Sequence, residues 1–166
     1  METTIEENKT KKFILSPSAI MLIIAAIALI IGIVSPPMIR KNENKHINED
    51  CRTASTILAA TKTALTDNSI AQQVNTAGYA TLTWTVSENK GVITCTNNIA
   101  DLQNAVIKSV GDVPRRSKTL GTAVWTVTVY PNADKTDFTV NGAWSGAIGA
   151  DDTVMTKKSG GTVAQQ

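Results

Sequence analysis

The sequence predicts an α+β protein: a long N-terminal helix whose inner half lies in a membrane and whose outer half packs on a small antiparallel sheet. Three observations predict it. Residues 13–39 contain no charged side chain over 27 positions. A segment with a helical apolar repeat follows, over residues 44–67. Beyond it, short stretches alternate between apolar and polar residues, as half-buried strands do.

The uncharged run begins at Phe13 and ends at Ile39. About 20 residues at about 1.5 Å rise each cross a hydrocarbon core of about 30 Å. Residues 13–39 are therefore predicted to form a transmembrane or assembly helix in contact with membrane lipid. Pro17 suits its first turn, where the missing N–H has no helical partner. Residues 1–12 are predicted to form a cytoplasmic leader, and we expect a single-pass membrane protein with its C-terminal domain outside the cytoplasm.

The end of this run does not fit a cleaved secretory signal. Such a signal has a shorter apolar core and a small-x-small cleavage site directly after it. Here the run ends in Ser35, Pro36 and Pro37, and the apolar core is long. We therefore expect an anchor that is either uncleaved or trimmed at its N-terminus.

The next segment continues as an amphipathic helix. Its apolar positions recur at spacings of four, three, four and seven residues, at Ile47, Cys51, Ala54, Leu58 and Leu65. That spacing places them on one helix face. We predict one helix over roughly residues 18–67, stopped by Asp67 and Asn68, whose outer half needs a partner surface.

Two hairpins are predicted to supply that surface within an extracytoplasmic head over residues 40–146. Residues 81–86 and 91–96 form the first, and residues 123–130 pair with a return strand at Phe138 and Val140 in the second. A short helix beginning at Asn97 or Asn98 lies between them, with Ile99, Leu102, Val106 and Val110 on its inner face. Asn141 and Gly142 indicate a bulge or turn, and residues 147–166 a flexible tail.

Composition narrows the function. The net charge is +2, from 16 basic and 14 acidic residues. Proteins that bind nucleic acids usually have a clustered basic face, so this balance argues against a nucleic-acid partner. Charged residues make up 18% of the chain, below the usual quarter. Threonine is used heavily in place of charged residues, which is typical of strands and of proteins at external locations.

Chemistry-bearing residues are sparse, and we predict no enzyme, cofactor or metal site. The single histidine, His46, has too few neighbouring ligands for zinc. The loop carboxylates follow no EF-hand spacing and are predicted to be solvated; they are Asp134, Asp137, Asp151 and Asp152. Three tryptophans in alternating strands are predicted to pack in the core: Trp84, Trp125 and Trp144.

The two cysteines, Cys51 and Cys95, are too far apart for a C-x-x-C motif. In an exported domain, an even pair suggests one disulfide, closing a loop of about 45 residues and worth about 3–4 kcal/mol. The alternative is two buried free thiols.

The order of signals resembles the type IV pilins and pseudopilins. Three segments carry the resemblance: Lys11 to Leu15 leading into the apolar run, Ile33 to Pro36 at its end, and the alanine-rich helix from Cys51 to Asp67. The resemblance implies self-assembly with other pilin-like subunits, an assembly machinery, and cleavage by prepilin peptidase between Lys12 and Phe13.

Two positions depart from that family's pattern. Lys12 stands where the family has a small glycine before the cleavage point, and Pro17 stands where it has a glutamate. The usual carboxylate pairs with a neighbouring subunit's N-terminus, and no acidic residue lies between Phe13 and Ile39 to replace it. The resemblance thus implies either a divergent subunit that stays in the membrane or a minor or initiating subunit. An unrelated single-span protein is the third interpretation.

The function that follows is a non-enzymatic structural subunit of a type IV pilus or a pilus-like or secretion filament at the cell surface. The alternative is a membrane-anchored extracytoplasmic binding domain that does not polymerise.

Overall fold

The computed structural model describes residues 42–87, 90–114, 121–146 and 151–162. Its contacts divide the chain into one unit over Met1–Lys41 and a second over Asn42–Gln166, and the described residues belong to the second. The predicted leader, the apolar helix over residues 13–39 and the candidate processing point at Lys12 and Phe13 lie outside the described residues.

The described part is α+β, as predicted, with four helices and one four-stranded antiparallel sheet of order β2-β1-β3-β4. The elements are α1 (42–64), α2 (Asn68–Ala77), β1 (Ala80–Ser87), β2 (Lys90–Cys95), a 3-10 turn (Thr96–Asn98), α3 (Ala100–Val110), β3 (Val124–Pro131), β4 (Phe138–Ser145) and α4 (Asp152–Lys158). Both hairpins and the short helix between them are confirmed, but the predicted start at Asn97 or Asn98 is wrong: these residues form the 3-10 turn, and Ile99 is the N-cap of α3.

Helix α1 packs its predicted stripe against the sheet. Cys51, Ala54 and Leu58 are buried, Leu65 is buried just beyond the helix, and Ile47 is half-buried. The stripe is therefore confirmed, and the sheet supplies the partner surface that this half of the helix needs.

The predicted stop at Asp67 also begins a second helix, which the sequence analysis missed. The Asp67 side chain accepts a hydrogen bond from the Ser69 N–H at 2.8 Å and caps α2. An N-cap aspartate satisfies an N–H group that the first turn leaves unpaired. Helix α2 then buries Ile70 and Val74, one turn apart.

The inner face of the sheet is built on one row of side chains. Ile93, Trp84, Trp125 and Trp144 are direct neighbours across β2, β1, β3 and β4. The three indoles are buried, with ring centroids 5.8 Å apart for Trp84–Trp144 and 5.5 Å for Trp125–Trp144. The prediction that the tryptophans are core residues is confirmed.

Gly142 lies inside β4 opposite Val127, so the predicted bulge or turn at Asn141 and Gly142 is wrong. A Cβ on Gly142 would lie 2.4 Å from Cζ2 of Trp125. The glycine is required because the indole of Trp125 lies directly over the β4 backbone.

The predicted flexible tail over residues 147–166 is wrong for residues 152–162, since α4 packs on β4. Asp151 caps α4 by accepting from the Thr153 N–H at 2.8 Å. The backbone N–H of Trp144 donates to Thr156 Oγ1 at 2.9 Å, and the Trp144 indole N–H donates to Ser159 Oγ at 3.0 Å. Met155 is buried in the core. The segment looked like a tail because its buried contacts are mostly small polar groups.

None of the helices in the described ranges is both long and apolar enough to cross a membrane.

The substitution Gly142→Ala should destabilise the fold by about 3 kcal/mol, because the new methyl group overlaps the Trp125 ring and a packed core cannot absorb it. Chemical unfolding of the full chain measures the change. The adjacent Ala143→Ser, at an exposed position on the opposite face, is the matched control and should change stability by less than about 0.5 kcal/mol. Equal stability of both variants would contradict the close approach.

The substitution Thr156→Val should cost about 1–3 kcal/mol, because it keeps the shape of the side chain but leaves the buried Trp144 N–H without an acceptor. Thr153→Val, at an exposed position of α4, is the control and should change stability by less than about 0.5 kcal/mol, because threonine and valine have similar helix propensities. If both variants unfold at the same denaturant concentration, α4 does not cap β4.

Candidate functional site

The two cysteines do not form the predicted disulfide; both are free thiols. The buried thiol of Cys51 donates to the Met155 carbonyl of α4 at 3.8 Å. Cys95 ends β2, where its thiol donates to the Thr96 carbonyl at 3.3 Å. The bridge is absent because α4 covers β4, while β2 is the opposite edge of the sheet.

Neither thiol is set up as a nucleophile. Burial raises the pKa of Cys51, opposed by a hydrogen bond from Ser159 and the charge of Lys158. Burial also raises the pKa of Cys95, opposed by a backbone hydrogen bond at Ile99. Because the thiolate is the reactive form, both thiols are protonated and unreactive at neutral pH.

The loop carboxylates serve as local backbone acceptors. Asp134 Oδ1 accepts from the Thr136 N–H at 3.2 Å, and hydrogen bonds from the Thr136 side chain and backbone lower the pKa of the Asp134 carboxyl. Asp137 accepts from the Phe138 N–H at 2.8 Å, and Asp152 from the Gly146 N–H at 2.9 Å.

His46 is partly exposed on α1, with Nδ1 3.4 Å from Glu49 Oε2. Within the described ranges, no three His, Cys, Asp or Glu side chains are grouped so as to hold a metal ion.

A groove of about 630 Å³ lies between the end of α1, helix α2 and the β3–β4 hairpin. We call it the hairpin groove. The Asn75 Nδ2 of α2 donates to the Lys135 carbonyl at 3.2 Å and ties this helix to the hairpin. Side chains of both charges and two apolar side chains of β4 line it, among them Lys62, Lys135, Asp137, Phe138 and Val140.

The register of β4 determines which backbone N–H and C=O groups face the hairpin groove. The Trp144 N–H points away from β3, since it bonds to Thr156. Outward and inward groups alternate along an antiparallel strand, so the N–H and C=O of Val140 also point away from β3, at the wall of the groove. Nearer its C-terminal end the same edge is covered, because a Cβ on Gly161 would lie 2.0 Å from the Gly142 carbonyl oxygen. Only the first half of β4 therefore offers backbone groups to an extended ligand strand.

The opposite edge of the sheet is divided in the same way. The Cys95 N–H at the end of β2 donates to Gln103 Oε1 of α3 at 3.1 Å. Towards the start of β2, a groove of about 620 Å³ lies between the strand and α3, lined in part by Ile93, Ile107 and Val113. Each edge strand is thus covered at its end and more open at its start.

Sequence reasoning missed the hairpin groove because it missed α2. The available signal was Asp67 as an N-cap, followed by Ile70 and Val74 at a spacing of four residues. The open position at Val140 depends on which half of β4 is covered by α4, and the sequence predicts a flexible tail in place of α4.

Comparison with known proteins gave no match to a family model, to a curated protein or to a solved structure.

Native Cys51 should react with a thiol-alkylating reagent more than about tenfold slower than in the unfolded chain, because exchange of a buried group requires local opening. Without reductant, the unfolded chain should yield two thiols. The alkylation rate of Cys95 should rise with pH through a midpoint above the ordinary value of 9.0, since its raised pKa lowers the thiolate fraction. Mass spectrometry of alkylated peptides measures all three. Recovery of no thiol would establish the bridge instead.

Proposed function

We propose that this chain is a non-enzymatic structural subunit of a type IV pilus or a pilus-like or secretion filament, held in the membrane by residues 13–39. The observation that carries the proposal is the sequential order of an uncharged segment and then a helix, α1, whose apolar stripe is buried by an antiparallel sheet. In this proposal α1 is the part of the assembly helix that carries the head.

The burial along α1 supports this role. Ala54 and Thr61 are fully buried, and Ile57 is 1% exposed. These contacts, which extend over about two turns from Ala54 to Thr61, fix α1 within the head. A subunit that packs by its helix among other copies needs this rigid attachment.

The membrane segment supports self-assembly through its small residues. Ala25, Ala26, Ala28 and Gly32 let helix backbones approach closely, which is how helices associate in lipid. Because Pro17 replaces the family's glutamate, assembly would depend on this packing rather than on a carboxylate paired with a neighbouring N-terminus.

The non-catalytic part of the proposal is supported by the roles of the reactive side chains. The thiols are protonated, the indoles fill the core, and the carboxylates Asp134, Asp137 and Asp152 accept backbone hydrogen bonds.

A second candidate function is a membrane-anchored extracytoplasmic binding domain that does not polymerise. The hairpin groove favours it, because the outward N–H and C=O of Val140 can pair with an extended peptide added to the sheet edge. Filaments that sediment from the cell surface with this chain would exclude this candidate, whereas a chain that is found only as a membrane-bound monomer would support it.

The mature chain should begin at Phe13 with a methylated α-amine if prepilin peptidase processes it. Mass spectrometry of the N-terminal peptide from the surface fraction tests this. Lys12→Gly supplies the small residue that the peptidase needs and should raise the rate of processing, by roughly tenfold if the lysine costs about 1.4 kcal/mol at the transition state. Lys11→Gly is the matched control and should leave processing unchanged.

An intact Met1 on the mature, surface-exposed protein would contradict processing. Equal processing of the Lys12→Gly and Lys11→Gly variants would place the cleavage point elsewhere.

A further inference from the structure

Both tyrosines of this chain are exposed and lie side by side, although they are far apart in sequence. Tyr79 precedes β1 and is 43% exposed, and Tyr130 of β3 is 50% exposed. Their ring centroids are 6.4 Å apart, with an interplanar angle of 32°. Among the described residues, the third large apolar side chain with such exposure is Val154 of α4. The sheet thus displays two adjacent aromatic rings that the core does not use.

The surface next to the two rings is neutral and rich in hydroxyl groups. The strand register places Thr139 beside Tyr130, and Thr81, Thr128 and Asn141 form the next row on the same face. We call these six residues the tyrosine patch: Tyr79, Tyr130, Thr81, Thr128, Thr139 and Asn141. None of the six side chains is charged.

We propose that the tyrosine patch is a binding site for a neutral polysaccharide. A pyranose ring has apolar C–H faces and a rim of hydroxyl groups. The two tyrosine rings offer rigid, amphipathic contact area to the faces. The threonine hydroxyls and the Asn141 amide offer both donors and acceptors to the rim.

Charge favours a neutral ligand. An anionic glycan or nucleic acid needs basic side chains to replace its counterions, and the tyrosine patch has none. A neutral ligand also spares the cost of removing ions from water. The absence of charge across two rows of strands therefore selects for an uncharged, hydroxylated partner.

Hydrogen bonds fix the backbone at Tyr79 and Thr81 and the side chain of Thr139 before any ligand binds. The Asn97 amide donates to the Tyr79 carbonyl at 2.9 Å. The Thr81 N–H donates to Thr96 Oγ1 at 3.0 Å, and the Thr139 hydroxyl donates to Asn132 Oδ1 at 3.1 Å. A fixed surface loses less conformational entropy on binding, which raises affinity.

The experiment measures binding of the full chain to microcrystalline cellulose and to chitin. The chain is solubilised in a polyoxyethylene detergent, because a detergent with a sugar headgroup would compete. We expect wild-type chain to bind at least one of the two solids. The double variant Tyr79→Ala with Tyr130→Ala should bind at least about tenfold more weakly, as the loss of two stacking rings implies.

Two controls separate stacking from folding. Val154→Ala truncates the other large apolar side chain that is exposed among the described residues, and this variant should bind as the wild type does. The double variant Tyr79→Phe with Tyr130→Phe keeps both rings and should retain affinity within about threefold. Circular dichroism verifies that each variant is folded.

Three results would overturn the proposal. One is no binding of the wild-type chain to either solid. Another is equal binding by the double alanine variant and the wild type. The third is a dimer in analytical ultracentrifugation that dissociates only in the double alanine variant, since a second copy would then cover the tyrosine patch. The proposal goes beyond the filament function and does not depend on it, because the binding measurement requires no polymerisation.

Discussion

The row of aromatic side chains across the inner face of the sheet is the constraint on which the rest of the head depends. Each indole buries about 150–250 Å², which is worth roughly 4–6 kcal/mol at about 25 cal/mol per Å². Trp84, Trp125 and Trp144 occupy one row, so this energy is available only when all three strands pair in this register. A slip of one residue would turn every ring to solvent. The row therefore fixes the register, and the need to fit the Trp125 ring fixes a glycine at position 142.

The second constraint is that the backbone N–H groups on the two edge strands, β2 and β4, need hydrogen-bond acceptors from outside the sheet. Helices α3 and α4 meet part of this need with single side chains, Gln103 on Cys95 and Thr156 on Trp144. An unpaired strand edge is a template for pairing with another chain. Because coverage stops partway along β2 and β4, the fold limits such pairing to a short stretch of each edge, and the stretch on β4 lies at the hairpin groove.

The two faces of the sheet differ in composition and in role. The inner face is apolar and packs against the helices, except where Phe138 and Val140 line the hairpin groove. The outer face carries threonines on all four strands, at Thr81, Thr83, Thr94, Thr126 and Thr139 among others. Threonine satisfies the strand preference for β-branched residues without exposing a hydrophobic surface. At one end of this surface, Tyr79 and Tyr130 add two exposed aromatic rings, which is why we assign the tyrosine patch a ligand rather than a packing role.

The sequence by itself determined the elements with strong periodicity: the stripe of α1 from Ile47 to Leu65, the two hairpins, α3, and the inward direction of the tryptophans. Local spacing is enough for these, because side-chain direction repeats every 3.6 residues in a helix and every two in a strand. Only the tertiary structure decided the rest. Helices α2 and α4 are short and polar, and each is held by a cap and a few long-range contacts, such as Met155 in the core. Whether Cys51 and Cys95 form a disulfide depends on the positions of β2 and α4, which lie at opposite edges of the sheet. Tyr79 and Tyr130 become neighbours only because β1 pairs with β3. These features depend on contacts between residues distant in sequence, and no local pattern encodes such contacts.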